Sequence, residues 1–415
     1  MTNPLGDEGV VRSWGVSQMV TSERTQIDLS TTTLRPKSLE HAYGFDDVAI
    51  VPGAVTTNPE MVSPSFTLGD HTFDIPVIAS AMDGVVDPAF AVRISKHGGM
   101  GVLNLDGVWT RYEDADAILQ EIAAADLETS TKIIQRVYQE PVKDHLVGQR
   151  VEEIKRAGGV AAVSCTPQNT KKFAPITKDA GVDFFVVAST VTTARHVSRS
   201  LKGLRLDELV ASMKGVPILV GNTVDFTATI ELMETGIHAV LIGVGPGAAC
   251  TSREVLGIGM PQVSATIETA YARDVYFEKT GRYVPIITDG GIRTGGDVSK
   301  SICAGADAVM IGSPFAGTIG SPGRGYHWGM ATPNQELPRG VRVHVGQVHS
   351  LETLLFGPTS KTDGTENLVG ALRTSMSTCG AQTIQDFHES RMIIAPSIKT
   401  EGKIYQMAQT RPAGI

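Results

Sequence analysis

Eight times along the chain a short apolar run ends in Gly, Ser, Asn or Asp and gives way to a stretch of helical periodicity. The runs are IPVIAS (75–80), GMGVLNL (99–105), GVAAVSC (159–165), DFFVVAS (183–189), PILVGN (217–222), AVLIGVG (239–245), PIITDGG (285–291) and AVMIGSP (308–314). Each is apolar on both faces, as parallel strands covered by helices must be. Between them, Asp87–His97, Gln168–Ala180, Asp225–Thr235 and Gly295–Ala304 carry apolar residues at helical spacing. Eight strands alternating with helices predict an α/β fold, the (β/α)8 TIM barrel, and residues 75–318 match its usual size of roughly 250 residues. A doubly wound sheet would need a GxGxxG fingerprint after its first strand, and none is there.

Around this count the sequence predicts an N-terminal arm (1–40), a single catalytic barrel (41–395) and a C-terminal tail (396–415). Residues 106–150 form an insertion after strand two with room for one or two extra helices. Residues 319–365 form a long excursion after strand eight, where a lid belongs in a barrel whose function sits at the C-terminal strand ends. With 41% hydrophobic and 19% charged residues the chain of 415 reads as globular. A net charge of -8 gives no reason to expect nucleic acid or an anionic membrane as partner. There is no apolar run of spanning length and no secretory signal at the N-terminus. Cys165, Cys250, Cys303 and Cys379 are far apart and form no CxxC pair, so they read as reduced thiols of a cytoplasmic protein.

The chemistry concentrates at three strand ends. ITDGGIRTGGD (287–297) and MIGSPFAG (310–317) are Gly-rich turns after strands seven and eight, the pair that commonly builds a phosphate site in barrels. Gly290, Gly291 and Gly312 let the backbone approach a phosphate closely, Ser313 adds a hydroxyl donor, and Asp289 is placed to accept from ribose hydroxyls. Glycines also simply make tight turns, but two such loops at adjacent strand ends favour the site. After strand six, GVGPGAACTSREVLG (243–257) puts Cys250 among glycines and hydroxyls before a helix start, where a thiolate is stabilised. A thiol at that rim suits attack on an electrophilic carbon of a nucleotide base. Cys165, on a strand, and Cys303, on a helix, read as small buried apolar residues. His344 and His349, in the alternating VRVHVGQVH, read as surface or edge residues.

GVGPGAACTSREVLGIGMPQ together with DGGIRTGGDVSKSICAGADAVMIGSPFAGT resembles the IMP dehydrogenase / GMP reductase family. YGFDDVAIVPG (43–53), SAMDGVV (80–86), VGNTVD (220–225) and ALRTSMSTCGAQT (371–383) extend the likeness over residues 40–385. The resemblance implies that Cys250 is the nucleophile that bonds to C2 of the purine. It implies that Asp289 holds ribose, that Gly290, Gly291, Gly312 and Ser313 cradle phosphate, and that Ser80 and Met82 pack against base and ribose. Gly329 and Met330 resemble the residues at the purine edge. Asn222, with Ser189 and Gly243, falls to the nicotinamide side. The carbonyls of Gly245, Gly247 and Cys250 match the loop that holds a monovalent cation, potassium, and the family's assembly implies a homotetramer or octamer.

The departures bear on the reaction. Ser252 stands where the family usually has Thr, which keeps the hydroxyl, while Ala248 replaces a phosphate-contacting Ser. The paired regulatory domains of the dehydrogenases are missing. Only Ala331–Gln335 separate Met330 from Glu336, with no Arg-Tyr dyad to activate water, and Arg324 and Tyr326 precede the Gly-Met pair instead of following it. Glu336 precedes Gly346 by ten residues, the spacing of the family's catalytic Glu or Gln. The expectation is a GMP reductase in which Cys250, Ser252 and Glu336 act on GMP with NADPH to release IMP. Its alternatives are an IMP dehydrogenase using NAD and potassium, a silent nucleotide-binding barrel, and a flavin-dependent barrel.

Overall fold

The computed structural model describes residues 38–197, 203–329 and 341–398. Met330 and Glu336, most of the predicted arm and most of the tail therefore lie outside the described residues. The chain divides into two units, Met1–His41 and Ala42–Ile415, and every element below belongs to the second.

The eight runs form one closed parallel barrel in chain order. Its strands are β1 (Val77–Ala79), β2 (Met100–Asn104), β3 (Ala162–Cys165), β4 (Phe184–Ala188), β5 (Ile218–Thr223), β6 (Ala239–Ile242), β7 (Ile286–Asp289) and β8 (Ala308–Ile311), with β8 pairing back to β1. The strands are buried on both faces because helices cover the outer surface. Several are shorter than the apolar runs that predicted them. The glycines at the run ends leave strand geometry: Gly243, Gly245, Gly290 and Gly291 have φ of +147°, +85°, +92° and +79°. Those ends are the turns that face a ligand.

The predicted helices appear within a residue or two as α1 (Pro88–Lys96), α5 (Pro167–Asp179), α7 (Phe226–Glu234) and α10 (Gly295–Cys303). Their starts are written in side chains. Asp225 caps α7 by accepting the Ala228 N–H at 2.8 Å, and Thr294 with Asp297 closes a capping box on α10. Below the barrel, the hairpin Phe66–Leu68/His71–Phe73 packs Phe73 against Phe184, the first residue of β4, with the rings tilted and their centroids 5.7 Å apart. That plug shuts the N-terminal end.

At the other end, the insertion holds two extra helices, α2 (Ala115–Ala124) and α3 (Leu127–Val137), ahead of the barrel helix α4 (Asp144–Arg156). The excursion after β8 carries an antiparallel pair, β9 (Tyr326–Trp328) and β10 (Arg342–His344). His344 is exposed on β10, as expected of an edge residue. His349 is not: it is buried, with Nδ1 3.5 Å from Glu366, because the chain turns inward where Ile319 N–H bonds to the His349 carbonyl at 2.8 Å. Cys165 and Cys303 are buried, as read from the sequence.

Candidate active site

The C-terminal strand ends enclose one cavity of about 360 Å³. Its walls include Ser80, Met82, Ser189, Asn222, Gly243, Gly245, Gly247, Cys250, Ser252, Asp289, Gly290, Gly291, Gly312, Ser313 and Gly329. Every site residue singled out in the sequence that lies within the described residues is thus brought to this one cavity.

The loop after β6 is stitched into shape by its own backbone and by α9 (Gln262–Thr280). Met260 N–H bonds to the Val244 carbonyl at 3.0 Å, and Gln262 Nε2 donates to the Ile242 carbonyl at 2.6 Å. A Cβ on Gly243 would lie 2.2 Å from the Asp289 carbonyl oxygen, so the loop after β6 and the end of β7 approach as only glycine allows. Cys250 is half-buried on this loop, and its Sγ donates to Ser252 Oγ at 3.4 Å. Ser252 is fully buried at the first residue of the five-residue helix α8 (Ser252–Leu256).

On the facing turns, a Cβ on Gly312 would sit 3.0 Å from Met82 Sδ and 3.8 Å from Ser80 Oγ, so any side chain there would fill the gap between β8 and β1. Ser313 Oγ is not idle, since it pairs with His327 Nε2 at 2.9 Å. Burial pushes the His327 imidazole down to about 4, so the ring is neutral at physiological pH. Asn222 Nδ2 donates to Asp289 Oδ2 at 2.8 Å. Burial raises the Asp289 carboxyl to about 6, against the lowering effect of that bond. Asn222 therefore touches the ribose candidate directly, a link between residues 67 apart that no spacing announces. Ser189 Oγ donates to the Val191 carbonyl at 2.7 Å.

Three lining residues were not marked in the sequence. Asp83, beside Met82, is buried and its carboxyl is also raised to about 6, mainly by desolvation. Tyr138 hydrogen-bonds to Asp83, and His327 precedes Trp328 on β9. The signal available was the position of Asp83 within SAMD and of His327 within HWGM. Trp328 itself lines the cavity while packing its ring into the insertion. Arg324 and Tyr326 do not reach the cavity. Arg324 pairs with Asp116 at 2.8 Å, and Tyr326 lies under Arg342, 4.3 Å from the guanidinium carbon to the ring centroid.

The donor set fits both a purine nucleotide and a nicotinamide. Glycine turns and a serine gather at one end, a carboxylate and a carboxamide in the middle, and a thiol opposite. Ser189, Thr190 and Asn222 add polar groups on the β4–β5 side. Among the described residues no group of three or more His, Cys, Asp or Glu could hold a metal. A cation at the loop would therefore meet backbone carbonyls, and the Gly247 carbonyl already accepts the Cys250 N–H at 3.0 Å. Among the described residues no helix is long and apolar enough to cross a membrane.

A family model described as the IMP dehydrogenase / GMP reductase domain matches residues 42–332. An uncharacterized oxidoreductase of Mycolicibacterium smegmatis is 36% identical over 362 residues, covering 85% of this chain and 96% of that protein. An inosine-5'-monophosphate dehydrogenase of Cryptosporidium parvum is 28% identical over 395 residues, covering 84% of this chain and 91% of that one. Among solved structures, an IMP dehydrogenase/GMP reductase-like protein from Corynebacterium glutamicum is similar with a TM-score of 0.82 and 31% identity, over 88% of this chain and 97% of that one. The chain is an oxidoreductase that belongs to the IMP dehydrogenase / GMP reductase family.

Proposed function

We propose that the protein is a GMP reductase, converting GMP to IMP and ammonia with NADPH. The observation that carries the reading is the position of the Cys250 thiol on the same cavity as Asp289 and the glycine turns of β7 and β8. A nucleotide with its phosphate at Gly290, Gly291, Gly312 and Ser313 and its ribose on Asp289 presents its base toward Cys250.

In this reading the Cys250 thiolate adds to C2 of GMP. The C2–N bond breaks, and Ser252, relaying a proton from Glu336, protonates the departing ammonia. A bound reduced nicotinamide would supply the hydride to C2; with C2 reduced the C2–S bond breaks, and IMP leaves with the Cys250 thiolate restored. Overall GMP, NADPH and two protons become IMP, ammonium and NADP+. Asn222, Ser189 and Gly243 form the side of the cavity assigned to the nicotinamide.

Among the described residues, the reductive direction is supported by the side chains of Arg324, Tyr326 and Tyr138. Arg324 and Tyr326 are committed to Asp116 and Arg342 outside the cavity. The Tyr138 phenol is held well above its ordinary value by burial and by Asp83, so it is no base. The reading includes a homotetramer or octamer in the cytoplasm and potassium at the carbonyls of Gly245, Gly247 and Cys250. A second reading, IMP dehydrogenase with NAD, is favoured by the likeness to the Cryptosporidium parvum enzyme.

The test follows nicotinamide absorbance with purified protein in two mixtures, GMP with NADPH and IMP with NAD and potassium. A fall in the first, with IMP and ammonia formed, is expected. A rise in the second alone would replace reductase by dehydrogenase. Cys250→Ala should lose turnover by on the order of 10³-fold or more while still binding nucleotide. A variant that keeps turning over would remove the covalent step from either reading.

A further inference from the structure

The insertion of α2 and α3 has no part in the chemistry above, yet it grips β9, the strand that brings His327, Trp328 and Gly329 to the cavity wall. Trp328 is buried among Val108, Leu119, Ile122, Ile134 and Val137 of the insertion. Its Nε1 donates to Tyr138 Oη at 2.9 Å, and Tyr138 in turn donates to Asp83 Oδ2. Asp83 lies just past β1 and also accepts the Val108 N–H at 2.9 Å, while its Oδ1 is buried with no protein partner. The backbones meet as closely as the side chains. A Cβ on Gly84 would lie 2.5 Å from the Tyr326 carbonyl, and one on Gly107 would overlap Asp83 Oδ1. The partner strand β10 is anchored separately, with Arg342 Nη1 and Nη2 donating to the Ala123 and Ala125 carbonyls at the C-terminal end of α2, at 3.2 and 2.7 Å.

We propose that the relay Asp83–Tyr138–Trp328 positions β9, and through it the nucleotide-facing wall formed by His327 and Gly329, so that Tyr138 and Asp83, at the cavity's edge, are positioning residues that act on the ligand through β9. Alternate residues of β9 point to opposite sides. Trp328 is tied to the insertion and β1, His327 is tied to Ser313 beside β8, and the strand is held across the cavity mouth from both flanks. Removing the Tyr138 hydroxyl frees Trp328 Nε1 and leaves the Asp83 carboxylate with one fewer donor in a buried place. The charged groups that act on Asp83 are Arg111, whose guanidinium carbon lies 5.4 Å from the Tyr138 ring centroid, and Asp106. Neither replaces the lost hydroxyl.

The inference rests on the nucleotide reading of the cavity, and its test separates the two. Tyr138→Phe, Trp328→Phe and the double variant are compared with the parent. In the absence of nucleotide, amide exchange over residues 326–329 should speed up by roughly tenfold in Tyr138→Phe, with β3–β6 unchanged. With GMP and with IMP, Kd and KM should rise by roughly tenfold while kcat changes little. The double variant should lose less than the sum of the two single variants, because both changes break the Trp328–Tyr138 bond. Unchanged exchange over 326–329, or additive effects in the double variant, would overturn the relay. A parent protein that binds neither nucleotide would overturn the nucleotide reading and leave the exchange measurement to decide on the relay.

Discussion

Asp289→Asn should make the ligand-free protein more stable, by an amount that grows from acid to neutral pH and is full above it. The carboxyl of Asp289 is held at about 6 against an ordinary 3.8 because burial disfavours the charge more than the Asn222 amide favours it. The folded chain therefore holds this proton more tightly than the unfolded chain. Between pH ~4 and ~6 the unfolded state has lost the proton while the folded state keeps it, so stability falls with rising pH across that window and levels off above it. The shift of about 2 units, 6 less 3.8, corresponds to at most about 3 kcal/mol, and less where the carboxylate edge opens into the cavity. An Asn in its place keeps an oxygen to accept from Asn222 and never ionises. Denaturant unfolding of parent and variant at pH 4.5 and pH 8 measures the difference. The expected result is a gain of ~1 kcal/mol at the lower pH and of ~2–3 kcal/mol at the higher. The same substitution should weaken GMP binding, since a neutral amide accepts less strongly from ribose hydroxyls. A gain independent of pH, or a loss at pH 8, would refute the claim that desolvation dominates at this carboxylate.

Two further perturbations test the frame that carries the site. Gly243→Ala combines a φ of +147° with a Cβ 2.2 Å from the Asp289 carbonyl, so it should cost at least about 3 kcal/mol, whereas Gly158→Ala, at φ +75° with nothing nearby, should cost ~1–2 kcal/mol in the same unfolding assay. Arg273→Met strips the buried Asp307 carboxylate of its guanidinium partner at 3.1 Å, leaving the Tyr283 hydroxyl and the Ile286 N–H. It should cost about 3–5 kcal/mol, and a cost below ~1 kcal/mol would show that those two donors suffice.

How much of this was legible in the sequence follows from the range of the interactions. The eight strands were legible because a strand buried on both faces must be apolar throughout, a property its own residues declare. The glycine turns were legible for the same reason, since positive φ is a local demand. What stayed hidden is held by contacts between distant segments. Trp328 and Tyr138 are 190 residues apart, and Asp83 and Tyr138 are 55 apart. The alternating pattern around His349 resembles an edge strand, and nothing local shows that Glu366 will bury it. The insertion was measured correctly as room for helices. Its task of holding β9 and β10 depends on Arg342 meeting the carbonyl end of α2, a pairing across 217 to 220 residues.

The distribution of unsatisfied polar atoms points to the same end of the barrel. Among the described residues, the buried side-chain atoms that make no hydrogen bond are Asp83 Oδ1, Gln262 Oε1, His327 Nδ1, His349 Nδ1 and Arg93 Nε. Asp83 and His327 line the cavity, and Gln262 reaches its Asp289 wall from behind. His349 lies in the excursion after β8 and reaches the Pro314 carbonyl, while Arg93 donates to the Gly320 carbonyl of that excursion. The plug at the N-terminal end, where Leu68, Phe73 and Phe184 pack, contributes none. A buried polar atom without a partner costs roughly 1–3 kcal/mol, so folding alone would have scattered or eliminated such atoms. Three of the five lie at or just behind one cavity, where a ligand's own donors and acceptors would recover that cost. Asp289 has a partner in Asn222, yet the same desolvation raises its carboxyl. For that reason its replacement by Asn should stabilise the fold while impairing the site.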